Sequence, residues 1–341
     1  MAERTAPLIA VTVGDPAGIG PEIVLQAAAD EAVKKEARIL VIGEAAALHA
    51  AASFTSAPPL ALIRKPAEIG TSWDPEKINV LDTGTLTEPL PWGVISEAGG
   101  TAAYAAIRTA TELALKGTVV AVATGPIHKE SLRAAKVPYI DHTSMFTGLT
   151  GASGVMTMFQ TGNLRIFFLT RHIALREVPS SLSVESVLEG IRSSVEHLRT
   201  LGFRKPRLAV AALNPHGGEH GLFGTEEQDI LEPAVAAAAD LPAVVEGPVP
   251  ADAVFHQTAC GDFDAVLSLY HDQGHIAAKT LDFHGTVSFT LGLPFLRTSV
   301  DHGTAFDIAG EGKANPRGMK EAVIAAARFG DAYRRAVARK P

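Results

Sequence analysis

The sequence predicts an α/β protein with two domains, in which helices cover both faces of parallel sheets. Short apolar runs rich in Val, Ile and Leu alternate with Ala-rich segments of helical length along the whole chain, a pattern typical of parallel sheets. The chain has 341 residues, more than one growing hydrophobic core usually contains. Its 47 % of hydrophobic residues can fill two cores.

The strands and helices follow from this alternation. Seven apolar runs are predicted to be strands: PLIAVTVG, ARILVIGE, VVAVATGP, LRIFFLTR, PRLAVAALN, FDAVLSLYH and GTVSFTLG. Five longer segments are predicted to be helices: PEIVLQAAADEAVKK, AGGTAAYAAIRTATELALKG, SVESVLEGIRSSVEHLRTLG, EEQDILEPAVAAAA and GMKEAVIAAARFGDAYRRAVARK. Pro21 marks a helix start, and Gly117 and Gly202 follow the last apolar positions of two helices. Residues 57–91 are expected to be irregular.

Composition and charge favour a small ligand. The formal net charge of -7 argues against a general electrostatic attraction to nucleic acid or to an anionic membrane. Cys260 is the only cysteine, so an internal disulfide is excluded, and the start MAERTAPLIAV does not resemble a signal peptide. No run approaches the ~18 apolar residues of a membrane helix. We therefore expect a soluble, cytoplasmic protein.

Two strand-to-helix turns have the composition of ligand-binding turns. GDPAGIGPE, residues 14–22, combines glycines and prolines that let a backbone approach a ligand before a helix N-terminus. It is neither GxGxxG nor a P-loop, and an ordinary turn is an equally good interpretation. TGPIHKESL presents His128 and Lys129 after another strand, where solvated loop residues are the alternative.

Three further strand ends supply histidines: His172, then His216 with His220, then His271 with His275. Imidazole is the commonest metal ligand in proteins. Because the ends of parallel strands meet at one edge of a sheet, three of these side chains could hold a divalent cation. Their separations along the sequence carry no metal-spacing signal, so capped or solvated turn residues remain the alternative.

The segment 291–316 is rich in glycine and small residues and holds His302, Asp307 and Asn315 just before the last helix. It is too irregular for a core element, and its regular glycines argue against a floppy tail. The segment is predicted to be a binding loop.

Seven motifs, in order along the chain, resemble the 4-hydroxythreonine-4-phosphate dehydrogenase family: GDPAGIGPE, TGPIHK, DHT, LNPHGGEHGLFGTEE, GPVPAD, YHDQGH and TLGLPFLRTSVDHGTAFDIAGEGKAN. The resemblance runs from about residue 8 to 328, and isocitrate and isopropylmalate dehydrogenases are similar more distantly. It implies two α/β domains with a cleft between them. Residues 1–130 plus 303–341 would form the cofactor domain, and 131–302 the metal and dimer domain. It also implies a homodimer with a shared active site.

The family's functional residues carry over position by position. Its metal ligands fall on His172, His216 and His271, one of which would come from the partner subunit. Its substrate-binding residues fall on His142, Thr143, Lys279, Ser288 and Arg297. The cofactor would be held by the two glycine-rich segments, through Gly14, Asp15, Gly18, His302, Gly303, Thr304, Asp307 and Asn315.

The departures from the family pattern lie around the substrate. Ser288 stands where the family has asparagine, and Ser144 stands where its GHTEF stretch has a carboxylate. The resemblance therefore leaves two substrates open. One is 4-hydroxy-L-threonine 4-phosphate, and the other is D-threonate or D-erythronate 4-phosphate, which lacks the amino group.

The resemblance implies oxidation by NAD or NADP to a β-keto acid. Decarboxylation would give 3-amino-2-oxopropyl phosphate for pyridoxal phosphate biosynthesis. A divalent metal, zinc, magnesium, manganese or cobalt, would chelate the substrate. Asp252 or Asp272 is the candidate general base, although Asp272 could instead orient a ligating histidine. Lys129 could protonate the enolate, and NAD is favoured because the cofactor segments lack a basic cluster.

Two other classes of protein remain as alternatives. A metal-dependent hydrolase or aldolase could use the same histidines, but the HGTAFDIAGEGKAN loop argues against it. A two-domain solute-binding protein would need export, and the chain begins without a signal segment.

Overall fold

The computed structural model describes residues 6–339 and has a mixed α/β architecture. The chain forms two compact units. Unit 1 comprises the chain up to Val155 and from Gly292 onward, and unit 2 is Met156–Leu291.

The strands are β1 (Leu8–Thr12), β2 (Arg38–Gly43), β3 (Leu60–Ile63), β4 (Ile78–Asp82), β5 (Ala121–Thr124), β6 (Met156–Thr161), β7 (Leu164–Phe168), β8 (Arg207–Ala211), β9 (Val244–Val249), β10 (Ala265–Ser268), β11 (Val287–Leu291) and β12 (Leu296–Val300). The α-helices are α1 (Gly20–Ala29), α2 (Glu31–Glu36), α3 (Ala45–Ala52), α4 (Glu97–Leu115), α5 (Lys129–Ala134), α6 (His142–Thr150), α7 (Val178–Ser181), α8 (Val184–Thr200), α9 (Glu232–Ala237), α10 (Ala251–Cys260), α11 (His271–Leu281) and α12 (Arg317–Val337).

The strands of unit 1 lie in the order β3-β4-β2-β1-β5-β12 and are parallel throughout. The parallel sheet predicted from the sequence is therefore confirmed here, but β3, β4 and β12 were missed. β3 and β4 lie within residues 57–91, which were expected to be irregular. β12 lies inside the segment that was predicted to be a binding loop. It was missed because its sequence LRTSV contains polar residues, although every position is buried.

The strands of unit 2 lie in the order β11-β6-β7-β10-β8-β9, and the last four are parallel. β6 runs antiparallel to both β7 and β11, so an all-parallel sheet is wrong for this unit. The cause is local: Thr161 pairs with Leu164 across a two-residue turn in which Gly162 has a φ of 55°. A glycine at positive φ is typical of such hairpin turns.

Both boundaries between the units differ from those expected from the sequence, 130/131 and 302/303. Residues 131–155 and 292–302 belong to unit 1. Packing explains the difference, since Phe146 lies in the same buried cluster as Leu293 and Phe295.

The predicted helix over 21–35 is two helices. Asp30 separates them, because its Oδ1 accepts hydrogen bonds from the backbone N of Ala32 at 2.9 Å and of Val33 at 3.2 Å. Its other oxygen lies 2.7 Å from Lys320 Nζ of α12. Such a side-chain cap satisfies backbone donors that a continuous helix would use internally.

Long amphipathic helices cover the sheet of unit 1. In α4 the buried positions Ala103, Ala106, Ile107 and Ala110 follow helical spacing. In α12 the buried Tyr333 donates its hydroxyl hydrogen to Leu293 O at 2.9 Å. Within residues 6–339, none of the helices is both long enough and apolar enough to cross a membrane.

Candidate active site

The turn after β1 approaches the end of β5 very closely. Gly14 has a φ of 81°, and a Cβ atom built there would lie 2.1 Å from Pro126 O. The backbone N of Asp15 donates to the same oxygen at 2.9 Å. A residue with a side chain would clash at position 14, so the GDPAGIGPE motif needs its first glycine for this crossing.

Asp15 is buried beneath this turn. Its side chain has 0 % exposure, and its Oδ1 accepts a hydrogen bond from Ala17 N at 3.0 Å. Burial raises the pKa of the Asp15 carboxyl, against the opposing effect of the Ala17 hydrogen bond. The side chain has no exposed surface, so its contribution to the predicted cofactor site would be indirect. It supports the turn from inside.

The turn and the C-terminal binding loop are in direct contact within unit 1. Ile19 N donates to Thr304 O at 3.0 Å, and Ala314 N donates to Glu22 Oε1 at 2.9 Å. A Cβ at Gly18 would lie 2.9 Å from the Cβ of Thr304. The structure therefore brings together the two segments that were predicted to bind the cofactor.

Individual residues of that loop differ in how accessible they are. Gly303 and Asp307 are exposed, whereas Thr304 is buried. His302 Nδ1 lies 3.0 Å from the carbonyl oxygen of Gly303. Asn315 Oδ1 accepts from Arg317 N at 3.0 Å, so its side chain caps the start of α12.

His128 connects the start of α5 to the same loop. Its ring stacks on Phe306, with centroids 4.6 Å apart and planes at 19°. Its Nδ1 accepts from Glu130 N at 3.3 Å, which caps α5. Lys129 is the exposed first residue of that helix.

A buried cation lies at the end of β5. Arg297 of β12 is 4 % exposed, and its Nε and Nη2 donate to Thr124 Oγ1 at 3.1 and 2.6 Å. Its guanidinium lies 5.7 Å from the ring centroid of Phe146. Burial lowers the pKa of Arg297 to about 9, while the Asp141 carboxylate opposes that effect. At neutral pH the group is therefore a desolvated cation with a fixed orientation.

The first residues of α6, His142 and Thr143, belong to the same region. Burial lowers the pKa of His142 well below its ordinary value, and the Arg297 charge lowers it further. The imidazole is therefore neutral at pH 7. Its buried Nε2 has no hydrogen-bond partner within residues 6–339. A helix N-terminus, a buried guanidinium and an available imidazole nitrogen form an arrangement suited to an anionic ligand.

Ser144 serves helix α6 itself. Its backbone N donates to Asp141 Oδ1 at 2.8 Å, and its hydroxyl donates to Asp141 O at 2.9 Å. The hydroxyl also accepts from Asp141 N at 3.2 Å, which completes a capping box. The residue that replaces the family's carboxylate is therefore engaged in the helix cap.

In unit 2, two of the predicted metal ligands line one pocket of about 320 Å³. The ring centroids of His172 and His271 are 6.2 Å apart. Asp272 Oδ1 lies 2.6 Å from His271 Nδ1, which leaves His271 Nε2 as the nitrogen for a ligand. This contact favours the orienting role of Asp272 over the general-base role.

His216 lies elsewhere in unit 2. It occupies the segment Pro215–Gly221, has a φ of 53°, and lines a second pocket of about 640 Å³ with His220 and Glu219. Across residues 6–339, no three His, Cys, Asp or Glu side chains are grouped as they would be around a metal ion. The structure thus brings two of the three predicted ligands together and leaves the third apart.

Sequence reasoning missed the side chains that hold these strand ends. The buried Glu227 accepts from the backbone N of Leu213 and Asn214 at 2.8 and 2.7 Å. Gln273 accepts from Leu269 N and donates to Ala212 O, both at 2.8 Å. Gln273 therefore connects the ends of β10 and β8. Its position inside YHDQGH was the available signal.

The other predicted residues of unit 2 lie on α11, β11 and α10. Lys279 lies two turns after His271 on α11. Its Nζ is 4.7 Å from the ring centroid of Phe283. Ser288 pairs with Phe159 across β11 and β6. Asp252 is exposed in the first turn of α10.

Known proteins resemble this chain over nearly its whole length. A family model described as "Pyridoxal phosphate biosynthetic protein PdxA" matches residues 35–326. A "Putative D-threonate 4-phosphate dehydrogenase" from Symbiobacterium thermophilum is 50 % identical, over 97 % of this chain and 99 % of its own. A protein of the same name from Cutibacterium acnes is 47 % identical, over 95 % and 94 %.

Solved structures agree with these matches. The crystal structure of 4-hydroxythreonine-4-phosphate dehydrogenase from Klebsiella pneumoniae superimposes with a TM-score of 0.84 at 41 % identity, covering 96 % of this chain and 99 % of that one. The family model covers well over half of the chain. The chain is therefore an oxidoreductase that belongs to the PdxA family.

Proposed function

We propose that the protein oxidises the hydroxyl group of a 4-phosphorylated 3-hydroxy acid with a nicotinamide cofactor. The first candidate substrate is 4-hydroxy-L-threonine 4-phosphate. The resulting β-keto acid would decarboxylate to 3-amino-2-oxopropyl phosphate, a step of pyridoxal phosphate biosynthesis. The observation that carries the proposal is the buried Arg297 beside neutral His142, because a desolvated guanidinium with a fixed orientation is suited to bidentate binding of a carboxylate or phosphate.

Arg297, His142 and Thr143 bind an anionic group of the substrate in this proposal. Thr124 holds the guanidinium in one plane through two hydrogen bonds. That restraint reduces the entropy lost when a carboxylate or phosphate binds. A neutral His142 can donate or accept at Nε2 without adding charge, so the site selects by geometry as well as by electrostatics.

The chemistry of the donor side chains of unit 2 fits a divalent metal ion. His172 and His271 share a pocket, and Asp272 fixes the tautomer of His271. We propose that both hold the ion together with a third histidine, His216, and that one of the three comes from the partner subunit, as the resemblance implies. Zinc, magnesium, manganese and cobalt are the candidate ions. A bound cation would acidify the substrate hydroxyl and polarise the ketone.

NAD is the proposed cofactor. The backbone at Gly14, Gly18 and Gly303 would approach it, with Thr304 behind the turn. Lys313, the only basic side chain other than His302 in residues 302–315, has its Nζ 2.8 Å from Glu311 Oε2. An ion-paired lysine is less suited to the extra phosphate of NADP, which supports NAD.

We propose one residue for each of the two proton-transfer steps. Asp272 is engaged by His271, so Asp252 becomes the first candidate for the general base. Lys129 would protonate the enolate after carbon dioxide leaves. Lys279 and Ser288 would contact the substrate as the resemblance implies.

A second candidate substrate is D-threonate or D-erythronate 4-phosphate. The specific observation in its favour is Ser144, whose hydroxyl is used in the cap of α6 and supplies no carboxylate for a substrate amine. The names of the relatives at 50 and 47 % identity also support this candidate.

The proposal includes a homodimer. Ile276, Leu281 and Phe283 on and after α11 are 55–63 % exposed, and a dimer interface would bury apolar surface of this kind. Light scattering after gel filtration would test it, and a monomeric mass in the active enzyme would contradict it.

The main test is NADH absorbance with purified, metal-loaded protein. The amino acid and the two sugar acids are offered in parallel, each with NAD and with NADP. Turnover of the amino acid alone supports the first candidate, and turnover of a sugar acid alone supports the second. No turnover with any of them would overturn the dehydrogenase proposal and favour the metal-dependent hydrolase or aldolase.

A further inference from the structure

His275 belongs to the YHDQGH motif but has no part in the function proposed above. It lies one helical turn after His271 on α11, so the two side chains share one face of the helix. Their rings are parallel, with centroids 3.7 Å apart and planes at 9°. His275 Nδ1 also donates to the carbonyl oxygen of His271 at 2.9 Å. His275 therefore covers one face of the His271 ring.

The sheet of unit 2 holds the His275 ring in turn. The rings of Phe159 and Phe168 lie 4.4 and 4.5 Å from it, centroid to centroid. These two buried phenylalanines pack edge to face, with centroids 5.4 Å apart. Gly274 lets the helix approach, since a Cβ there would lie 2.6 Å from a ring carbon of Phe168. The position of His275 is thus fixed by β6 and β7.

His271 needs such support because its side chain is 41 % exposed. An exposed imidazole samples several rotamers, and ordering it on ligand binding costs conformational entropy. Asp272 restrains the ring at Nδ1, and His275 restrains it at its face. Together they leave Nε2 directed away from both contacts.

An alternative role for His275 would be that of a metal ligand itself. Two histidines at positions i and i+4 can chelate one ion when both rings turn a nitrogen toward it. Here the rings lie face to face at 3.7 Å, and His275 Nδ1 is occupied by the His271 carbonyl. The geometry favours support of His271 over direct coordination.

We propose that His275 is a positioning residue, which holds the ring of His271 in its ligand-binding orientation by stacking. The inference rests on the proposed function, in that it takes His271 to be a metal ligand. It predicts that the flat ring at position 275 matters for metal affinity, and that its imidazole nitrogens matter little.

The test compares His275→Phe with His275→Leu in the full-length apoprotein. Phenylalanine keeps the stacked ring, whereas leucine fills the space without one. The affinity for Zn²⁺ is measured by competition with a chromophoric chelator. We expect His275→Leu to bind Zn²⁺ about 10-fold more weakly, in the range found for residues that orient ligands, and His275→Phe to stay close to wild type. His49→Leu, at an exposed position of α3, is the matched control and should bind as wild type does.

A second readout does not involve metal. In the apoprotein with ¹⁵N-labelled histidine, long-range ¹H–¹⁵N spectra report the tautomer of each ring. We expect His271 to show one tautomer, with hydrogen on Nδ1, in wild type and in His275→Phe, and averaged signals in His275→Leu. Circular dichroism establishes that each variant is folded.

His271→Ala separates the inference from the proposed function. If His271→Ala binds Zn²⁺ as wild type does, the metal site itself is wrong. If His271→Ala loses affinity while His275→Leu keeps it, the metal site stands and the positioning role is overturned. An equal loss in His275→Phe and His275→Leu would overturn stacking as the cause.

Discussion

The polar groups of the two units are held in opposite ways. In unit 1, Arg297 of β12 is 4 % exposed and is positioned by its hydrogen bonds to Thr124 of the neighbouring strand β5. In unit 2, the side chains of His271 and Asp272 are 41 and 71 % exposed and are positioned by contacts within one helix. Arg297, the proposed anion-binding group, is therefore ordered by the sheet, and the candidate metal ligands depend on their immediate neighbours. We therefore expect substitutions in the two units to differ in the size of their effects.

The largest effect is expected from removing divalent metal, whose proposed ligands lie in unit 2. Dialysis against a chelator should lower kcat/KM by roughly 10³-fold or more, because a bound cation supplies several kcal/mol of transition-state stabilisation. Adding Zn²⁺, Mg²⁺, Mn²⁺ or Co²⁺ back should restore the rate. Calorimetric titration with NAD serves as the control and should be little changed. Full activity in chelator would remove the proposed role of the histidines.

The next effect is expected from Arg297 in unit 1. Arg297→Ala should lower kcat/KM by roughly 10²- to 10³-fold, since truncating one partner of a buried charged contact costs about 2–5 kcal/mol. Arg297→Lys keeps the charge but loses the planar guanidinium. Its kcat/KM should therefore lie between those of wild type and Arg297→Ala. The matched control is Arg207→Ala, at an arginine whose side chain is 45 % exposed and which is paired with Asp264. A wild-type rate in Arg297→Ala would contradict the anion-binding role.

A smaller effect, on stability, is expected at Ser144. Because its hydroxyl completes the capping box of α6, Ser144→Ala should lower the free energy of unfolding by about 1 kcal/mol. Urea denaturation would measure it. Ser186, which forms the same box with Ser183 at the start of α8 in unit 2, provides the comparison.

Ser186→Ala should lower the free energy of unfolding by a similar amount. The ratio of kcat/KM between the amino acid and the sugar acids should stay constant in both variants. A changed ratio in Ser144→Ala alone would show that Ser144 contacts the substrate after all.

The smallest effect is expected at Asp15 and depends on pH. Burial raises the folded-state pKa of Asp15 above its ordinary 3.8. The folded state therefore holds the proton more tightly than the unfolded state does. The contribution of Asp15 to stability is complete below pH 3.8 and is lost as the pH rises through the folded-state pKa.

Asp15→Asn should not lose this stability as the pH rises, since an amide stays neutral. Thermal unfolding from pH 3 to 8 should therefore show Asp15→Asn gaining modestly over wild type as the pH rises. A gain that is largest at low pH would reverse the sign and contradict this account.

The sequence predicted the parts of this fold whose pattern is local. Mostly apolar runs such as β1, β2 and β8 were found because burial on both faces leaves few polar positions. LRTSV of β12 was taken for a loop, since its Arg297 and Thr298 are buried only through partners on other elements: Thr124 and the carbonyl oxygen of Ala322. No local pattern reveals such partners.

The candidate site shows the same division. The strand-end rule selected His172 and His271, which line one pocket, because parallel topology gathers such positions. Thr124 and Glu227 were missed, since each acts only through groups that are distant in sequence or buried. His216 followed the same strand-end rule as the other two, yet it lines a different pocket from theirs.

The left-handed segment from His216 to His220 also restricts how this chain can vary during evolution. All five residues have positive φ angles, between 42 and 77°. For L-residues other than glycine, asparagine and aspartate, such angles cost roughly 1–2 kcal/mol each. Val or Ile would be excluded here by backbone sterics, whatever their effect on catalysis. Descendants of this chain can therefore retain this segment only with glycines or with residues whose strain the rest of the fold offsets.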